Sequence, residues 1–90
     1  MFLEIVVIIM HDYNKETLSH IVRVNIKKYR KLRGLTAEEL AEKADYTFQY
    51  VRDLESLKVN KTPTLEALGR FAKALDIDIR QLFDDVYRDE

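Results

Sequence analysis

The chain has 90 residues, 47% of them apolar and 34% charged, with a net charge of −1, which is room for one domain with a single modest core built on strongly amphipathic elements. Two glycines and one proline are too few for a loop-rich or all-β design. The absence of cysteine excludes disulfides and thiolate metal sites and suits a reducing cytoplasm.

Residues 1–10 are apolar except for Glu4. The run is too short to span a bilayer as a helix, which takes about 20 residues. It also lacks the basic start and small-residue cleavage site of a signal peptide, so no membrane association is expected. The β-branched stretch Ile5-Val6-Val7-Ile8-Ile9 favours a strand. A lone strand beside helices leaves edge groups unpaired and invites a second copy. Residues 1–13 are therefore expected to be an arm that pairs between two chains. The competing reading makes Met10 the natural start and residues 1–9 an artefact of the chosen start site.

Asn14 can cap a helix from Lys15 to about Arg33. On it Leu18, Val22, Ile26, Tyr29 and Leu32 recur at helical spacing and form one apolar stripe. Gly34 is placed to end it. Thr36 and Glu39 form a capping-box pattern at the start of a second helix, whose inward residues are Leu40, Ala41 and Ala44. After a turn at Asp45-Tyr46, Thr47 caps a third helix with Val51 and Leu54 inward. A loop runs from Leu57 to Pro63. Thr64 caps a fourth helix containing Leu65, Leu68, Phe71, Ala72 and Leu75, which Asp76 ends. Asp78 caps a short fifth helix with Ile79, Leu82 and Phe83. The domain is thus expected over residues 14–84, followed by an acidic tail over residues 85–90.

Charge is patched along the chain. Residues 15–35 carry Lys15, Arg23, Lys27, Lys28, Arg30, Lys31 and Arg33 against Glu16 alone. Residues 37–56 are acidic, with Glu38, Glu39, Glu42, Asp45, Asp53 and Glu55 against Lys43 and Arg52. Residues 57–75 are basic again. Such patches can steer a polyanion onto one face of a nearly neutral protein, although solvated helix faces account for them equally well.

Two short helices joined by a turn of a few residues, Thr36–Ala44 and Thr47–Ser56, are the sequence form of a helix-turn-helix. Ala41 is small enough for the next helix to cross closely, and Val51 and Leu54 anchor that helix to a core. Its other face is then available for a DNA major groove, which is wide enough to take an α-helix.

The run from Ile26 to Ala41, with Arg30, Gly34, Thr36 and Leu40 in place, resembles the first two helices of the phage Cro and repressor (XRE-type) family. Thr47 to Val51, Leu54 and Glu55 resemble its recognition helix. Pro63-Thr64-Leu65, Phe71 to Ile77 and Asp78 to Leu82 resemble its last two helices, so the likeness covers residues 22–83. It implies an all-α, five-helix, lambda-repressor-like fold and a DNA-binding transcriptional regulator of repressor type. Three departures stand out. Ala37 occupies a place where the family often has a phosphate-contacting Gln. The loop Ser56–Thr62 is about two residues longer than usual and lacks the glycine the family carries there; Asn60 is the residue expected to take the left-handed turn instead. The recognition helix carries two aromatics, Phe48 and Tyr50, where polar side chains are common.

The resemblance assigns the DNA-facing side to Thr47, Phe48, Gln49, Tyr50, Arg52 and Asp53, followed by Lys58 and Lys61. Gln can bond adenine N6 and N7 together, and an exposed surface Gln is the alternative. Phe48 and Tyr50 can meet thymine methyls or phosphate, or else cover the core. Arg52 suits guanine or phosphate, and Asp53 can accept from cytosine N4. Thr47, Lys58 and Lys61 suit phosphate. Arg30 and Glu55 match family positions that form an ion pair between the first and third helices, a structural role.

Catalytic signals are lacking. His11 and His20 are nine residues apart, not at metal-ligand helical spacing; Ser19 and Ser56 have no adjacent base, and no Gly-rich phosphate loop occurs. No enzyme activity, metal or cofactor is expected. The partners expected are double-stranded DNA and a second copy of the chain, since a two-fold operator calls for a dimer. The acidic second helix, the aromatics of the third and the pI near 6.1 leave open an antitoxin or other protein-interaction module on the same fold.

Overall fold

The computed structural model describes residues 13–84. Four α-helices and a closing 3₁₀ helix make up the regular structure of these residues: α1 Lys15–Leu32, α2 Ala37–Ala44, α3 Phe48–Ser56, α4 Leu65–Leu75, then the 3₁₀ turn Ile79–Phe83. The expected arm at residues 1–13, but for Tyr13, and the tail at 85–90 lie outside the described residues.

All five helix starts carry the cap anticipated for them. Asn14 Oδ1 accepts from the Thr17 amide at 2.8 Å. Thr36 and Glu39 satisfy each other's amides, Thr36 Oγ1 accepting at 3.0 Å and Glu39 Oε1 at 2.8 Å. Thr47 and Thr64 accept from the Tyr50 and Ala67 amides, both at 3.1 Å. Asp78 forms the last cap with Arg80 and a capping box with Gln81. Each cap fills a donor that would otherwise be orphaned, so these helices begin where their sequences dictate.

The core lies where the helices cross. Val22 and Ile26 of α1 meet Leu40, Ala41 and Ala44 of α2, Val51 and Leu54 of α3, Ala67, Leu68, Phe71, Ala72 and Leu75 of α4, and Leu82. Phe71 is the largest of its fully buried side chains. Four residues read as core are instead exposed. Leu32 and Leu65 keep 68% and 85% of their surface, Leu32 as the last residue of α1 and Leu65 as the first of α4. In the 3₁₀ turn only Leu82 is buried, while Ile79 and Phe83 remain exposed. A turn of five residues is too short to hold a stripe against the core.

Polar groups hold that last turn down. Asn25, fully buried on α1, donates through Nδ2 to the carbonyls of Leu82 and Asp84, both at 2.9 Å. The Tyr29 hydroxyl donates to Asp84 Oδ2 at 2.6 Å, which, together with burial, pushes the phenol above its ordinary pKa.

Left-handed backbone ends several helices. Gly34 takes φ 72°, and Asp45 and Asp76 take φ 61° and 57°. In the long loop after α3 the left-handed residue is Leu57, at φ 61° and ψ −4°, and not Asn60. Leu57 lies immediately after the last residue of α3, where the chain must turn at once; Asn60 falls too late. A Cβ in this region costs roughly 1–2 kcal/mol. Leu57→Gly should therefore raise the unfolding free energy by up to about 1 kcal/mol after the added chain entropy of glycine is offset. Urea denaturation checks this, with a gain in midpoint at unchanged slope as the expected result.

Candidate nucleic-acid interface

Helix α3 is seated from three directions. At its start, the turn from α2 is bound by Arg70 of α4. Arg70 Nε donates to the Ala44 carbonyl at 2.9 Å, its Nη2 donates to the Asp45 carbonyl, and the guanidinium lies 4.0 Å from the Tyr46 ring centroid. Tyr46 stacks on Phe71 with centroids 5.4 Å apart and meets Tyr50 at 4.7 Å. Tyr50 stacks in turn on Phe71 at 6.3 Å. Tyr50 is therefore half-buried in an aromatic cluster, and burial raises its pKa. Of the two aromatics in α3, only Phe48 is exposed, with the Arg52 guanidinium 5.6 Å from its centroid.

At its far end, α3 and the following loop are gathered by Arg23 of α1, a residue the sequence presented only as one cation in a basic stretch. Arg23 is 6% exposed. Its Nε donates to the Leu54 carbonyl at 2.8 Å and its Nη2 to those of Asp53 at 2.9 Å and Val59 at 2.8 Å. Its Nη1 donates to the Lys61 carbonyl at 2.8 Å, which also accepts from Ser19 Oγ at 3.1 Å. Burial lowers the Arg23 pKa, and the nearby Asp53 charge opposes that shift. The guanidinium thus closes the helix end and the loop onto α1. Nothing in local periodicity marks it, since its acceptors are backbone atoms 30 or more positions away.

The third attachment is the pair Arg30 and Glu55. Arg30 Nε donates to Glu55 Oε2 at 2.7 Å and Nη2 to Oε1 at 2.9 Å, a bidentate geometry. The third nitrogen, Nη1, donates to the Leu35 carbonyl at 2.7 Å and so ties in the α1–α2 connection. The side chains keep 12% and 9% of their surface.

What remains is the outward face of α3, with Phe48, Gln49 and Arg52 exposed and Asp53 partly so. Gln49 Nε2 donates to Asp53 Oδ1 at 2.8 Å, one helical turn on. Asp53 Oδ2 faces Lys61 Nζ at 3.4 Å, and that ammonium lies 5.1 Å from the Tyr50 ring centroid. Lys61 is thereby drawn against α3, while Lys58 points to solvent. The Thr47 hydroxyl accepts the cap bond at the helix start and retains its own proton to donate. The structure therefore gathers Gln49, Asp53, Lys61 and Tyr50 into one connected group, with Phe48 and Arg52 beside it and Lys58 apart. Lys27 and Lys31 are exposed on α1. Among the described residues no helix is long and apolar enough to cross a membrane, and no group of three or more His, Asp or Glu stands where it could hold a metal ion.

Comparison with known proteins gives a consistent result. A family model described as helix-turn-helix matches residues 26–82. The HTH-type transcriptional regulator SinR of Bacillus subtilis (strain 168) is 35% identical over 66 residues, which is 72% of this chain and 58% of that protein. SinR of Bacillus licheniformis is 34% identical over 61 residues, 67% of this chain and 53% of that protein. The chain thus spans little more than half the length of these relatives. Among solved structures, that of the clp gene regulator ClgR from C. glutamicum superposes with a TM-score of 0.66 at 25% identity, covering 72% of this chain and 82% of that one.

The ion pair makes a quantitative test. Removing either partner leaves a largely buried charge unpaired, so Arg30→Ala and Glu55→Ala should each cost about 3 kcal/mol. The double substitution should cost clearly less than the two together, by about 1 kcal/mol or more. Chemical denaturation of the four proteins measures the coupling, and strict additivity is the result that removes the pair from the account.

Proposed function

This chain belongs to the helix-turn-helix family, and on that premise we propose that it is a sequence-specific DNA-binding transcriptional regulator of repressor type, with α3 entering the major groove. The observation that carries the reading is the contrast between the two sides of α3. One side is fixed by Val51 and Leu54 in the core and by Arg23, Arg30 and Arg70 on adjoining elements. The other side offers Phe48, Gln49 and Arg52 to solvent. A groove about 12 Å wide admits a helix of this size. A helix held so firmly reads bases at little ordering cost.

Each candidate takes a role in keeping with its setting. Gln49 reads adenine, and Phe48 packs on a thymine methyl. Arg52 reaches guanine or phosphate, while Thr47 and Lys58 bind phosphate near the two ends of α3. Lys61 and Tyr50 support the face from behind, and Asp53 belongs with Gln49. Arg30 and Glu55 orient the helix. The chain acts in the cytoplasm as a homodimer, because one domain reads one half-site and a two-fold operator presents two. The regulators to which it is similar support this reading.

A second reading, a protein-interaction module, draws on the exposed acids Glu38, Glu39 and Glu42 of α2. The two readings part on salt. DNA binding weakens steeply as salt rises, through release of condensed counterions, whereas a protein-binding module gives no salt-sensitive DNA complex at all.

Selection from a random DNA pool should return an enriched site. Gln49→Ala should then weaken binding to that site by ~1–3 kcal/mol while leaving non-specific binding in place. A pool that yields no enriched sequence sinks the proposal.

A further inference from the structure

We infer that Asp53 is a positioning residue, which fixes the Gln49 amide in the orientation that reads adenine; this rests on the DNA-binding reading above. A carboxylate can only accept, so the bond at 2.8 Å to Asp53 Oδ1 must come from the NH₂ end of the Gln49 amide. That settles which end of the amide is which, an assignment that otherwise depends on the surrounding network. With one N–H engaged, Gln49 retains one N–H and both lone pairs of Oε1. Adenine presents a donor, N6–H₂, and an acceptor, N7, in the major groove, which complement those two groups. Guanine presents two acceptors there, O6 and N7, and the remaining single N–H can serve only one of them.

The carboxylate is itself held. Its other oxygen, Oδ2, faces Lys61 Nζ at 3.4 Å, and the Asp53 carbonyl accepts from Arg23 Nη2 at 2.9 Å. Lys61 is anchored in turn by its own carbonyl, which accepts from Arg23 Nη1 and Ser19 Oγ. Both Asp53 oxygens are therefore engaged within the protein, Oδ1 by Gln49 and Oδ2 by Lys61, so a direct cytosine contact would have to share an oxygen that already holds a partner. The pairing also explains how a carboxylate is tolerated on a face meant for phosphate-lined DNA: the Lys61 ammonium offsets its charge.

The consequence differs in sign from that of an ordinary DNA contact. Asp53→Ala frees the Gln49 amide to turn, so discrimination falls. It also removes a negative charge and releases Lys61 toward the phosphates, so non-specific affinity is maintained or rises. The experiment is to select sites with the full chain, then measure binding to the selected site, to its single-base variants and to unrelated DNA over a salt series. Wild type, Gln49→Ala and Asp53→Ala are compared, with thermal melting to confirm that each is folded. The expected result for Asp53→Ala is a loss of about fivefold or more in preference for adenine at the base pair that Gln49→Ala identifies. Affinity for unrelated DNA should be undiminished and the salt slope steeper by about one charge. If Gln49→Ala erases the preference and Asp53→Ala keeps it, the positioning role is wrong and the Gln49 reading stands. A parallel loss of specific and non-specific affinity in Asp53→Ala overturns it as well. If Gln49→Ala leaves every preference intact, both readings fall together.

Discussion

The last turn of an α-helix leaves backbone carbonyls without partners inside the helix, and a domain assembled from short helices has many such ends. Here they are met by guanidinium groups reaching across from other helices. Arg23 of α1 takes the end of α3 and the loop beyond it. Arg70 of α4 takes the end of α2 through the Ala44 and Asp45 carbonyls. Arg33, just past α1, takes the end of α4, donating to Leu75 and Asp76 at 2.7 and 2.8 Å. A fixed fork of five N–H donors suits this task, because one side chain can bind carbonyls that diverge at a helix terminus. A positive charge also complements the negative end of each helix. Lysine at these places has the charge without the fork.

This arrangement gives α3 its rigidity. Val51 and Leu54 supply burial, which is non-directional and would allow the helix to slide or roll. The directional contacts remove that freedom: Arg70 at the turn before it, Arg30 with Glu55 on its flank, Arg23 at its end. A nine-residue helix is too short to be stable by itself, so its existence and its orientation rest on the same tertiary contacts. The outward face then presents Gln49 and Arg52 in a defined register, the precondition for telling one base from another.

The parts of this design legible in the sequence are the local ones. The five caps, the left-handed end at Gly34 and most of the core could be read because a cap and an amphipathic stripe are set by residues within a few positions of one another. Arg30 and Glu55 were singled out through family resemblance, and their spacing along the chain carries no such message. Arg23 and Asn25 escaped for a physical reason. A polar residue facing inward looks like a break in a stripe, and its partners are carbonyls, which every residue has. Asn25 serves Leu82 and Asp84, 57 and 59 positions away, and no side-chain code marks that destination. Leu32 and Leu65 misled in the opposite sense. Periodicity tells which face of a helix is apolar, yet not how far along its length a neighbour covers it. The loop after α3 turned on timing: Asn60 has the better side chain for a left-handed bend, but Leu57 occupies the place where the bend must occur.

The same contacts change what the charge pattern means. Seven cations between residues 15 and 35 suggested a steering surface, but Arg23, Arg30 and Arg33 spend their donors inside the domain. Lys61 is likewise engaged with Asp53. On α3 and the loop that follows it, the exposed cations are Arg52 and Lys58; Lys27 and Lys31 are exposed on α1 and Lys43 on α2. Affinity for a polyanion grows with the number of phosphates neutralised, and on this face that number is set by the exposed cations and not by the arginines and the lysine already engaged within the domain. Rigid placement of α3 adds to what such a face can do, because a surface already held in its binding geometry loses little freedom on association.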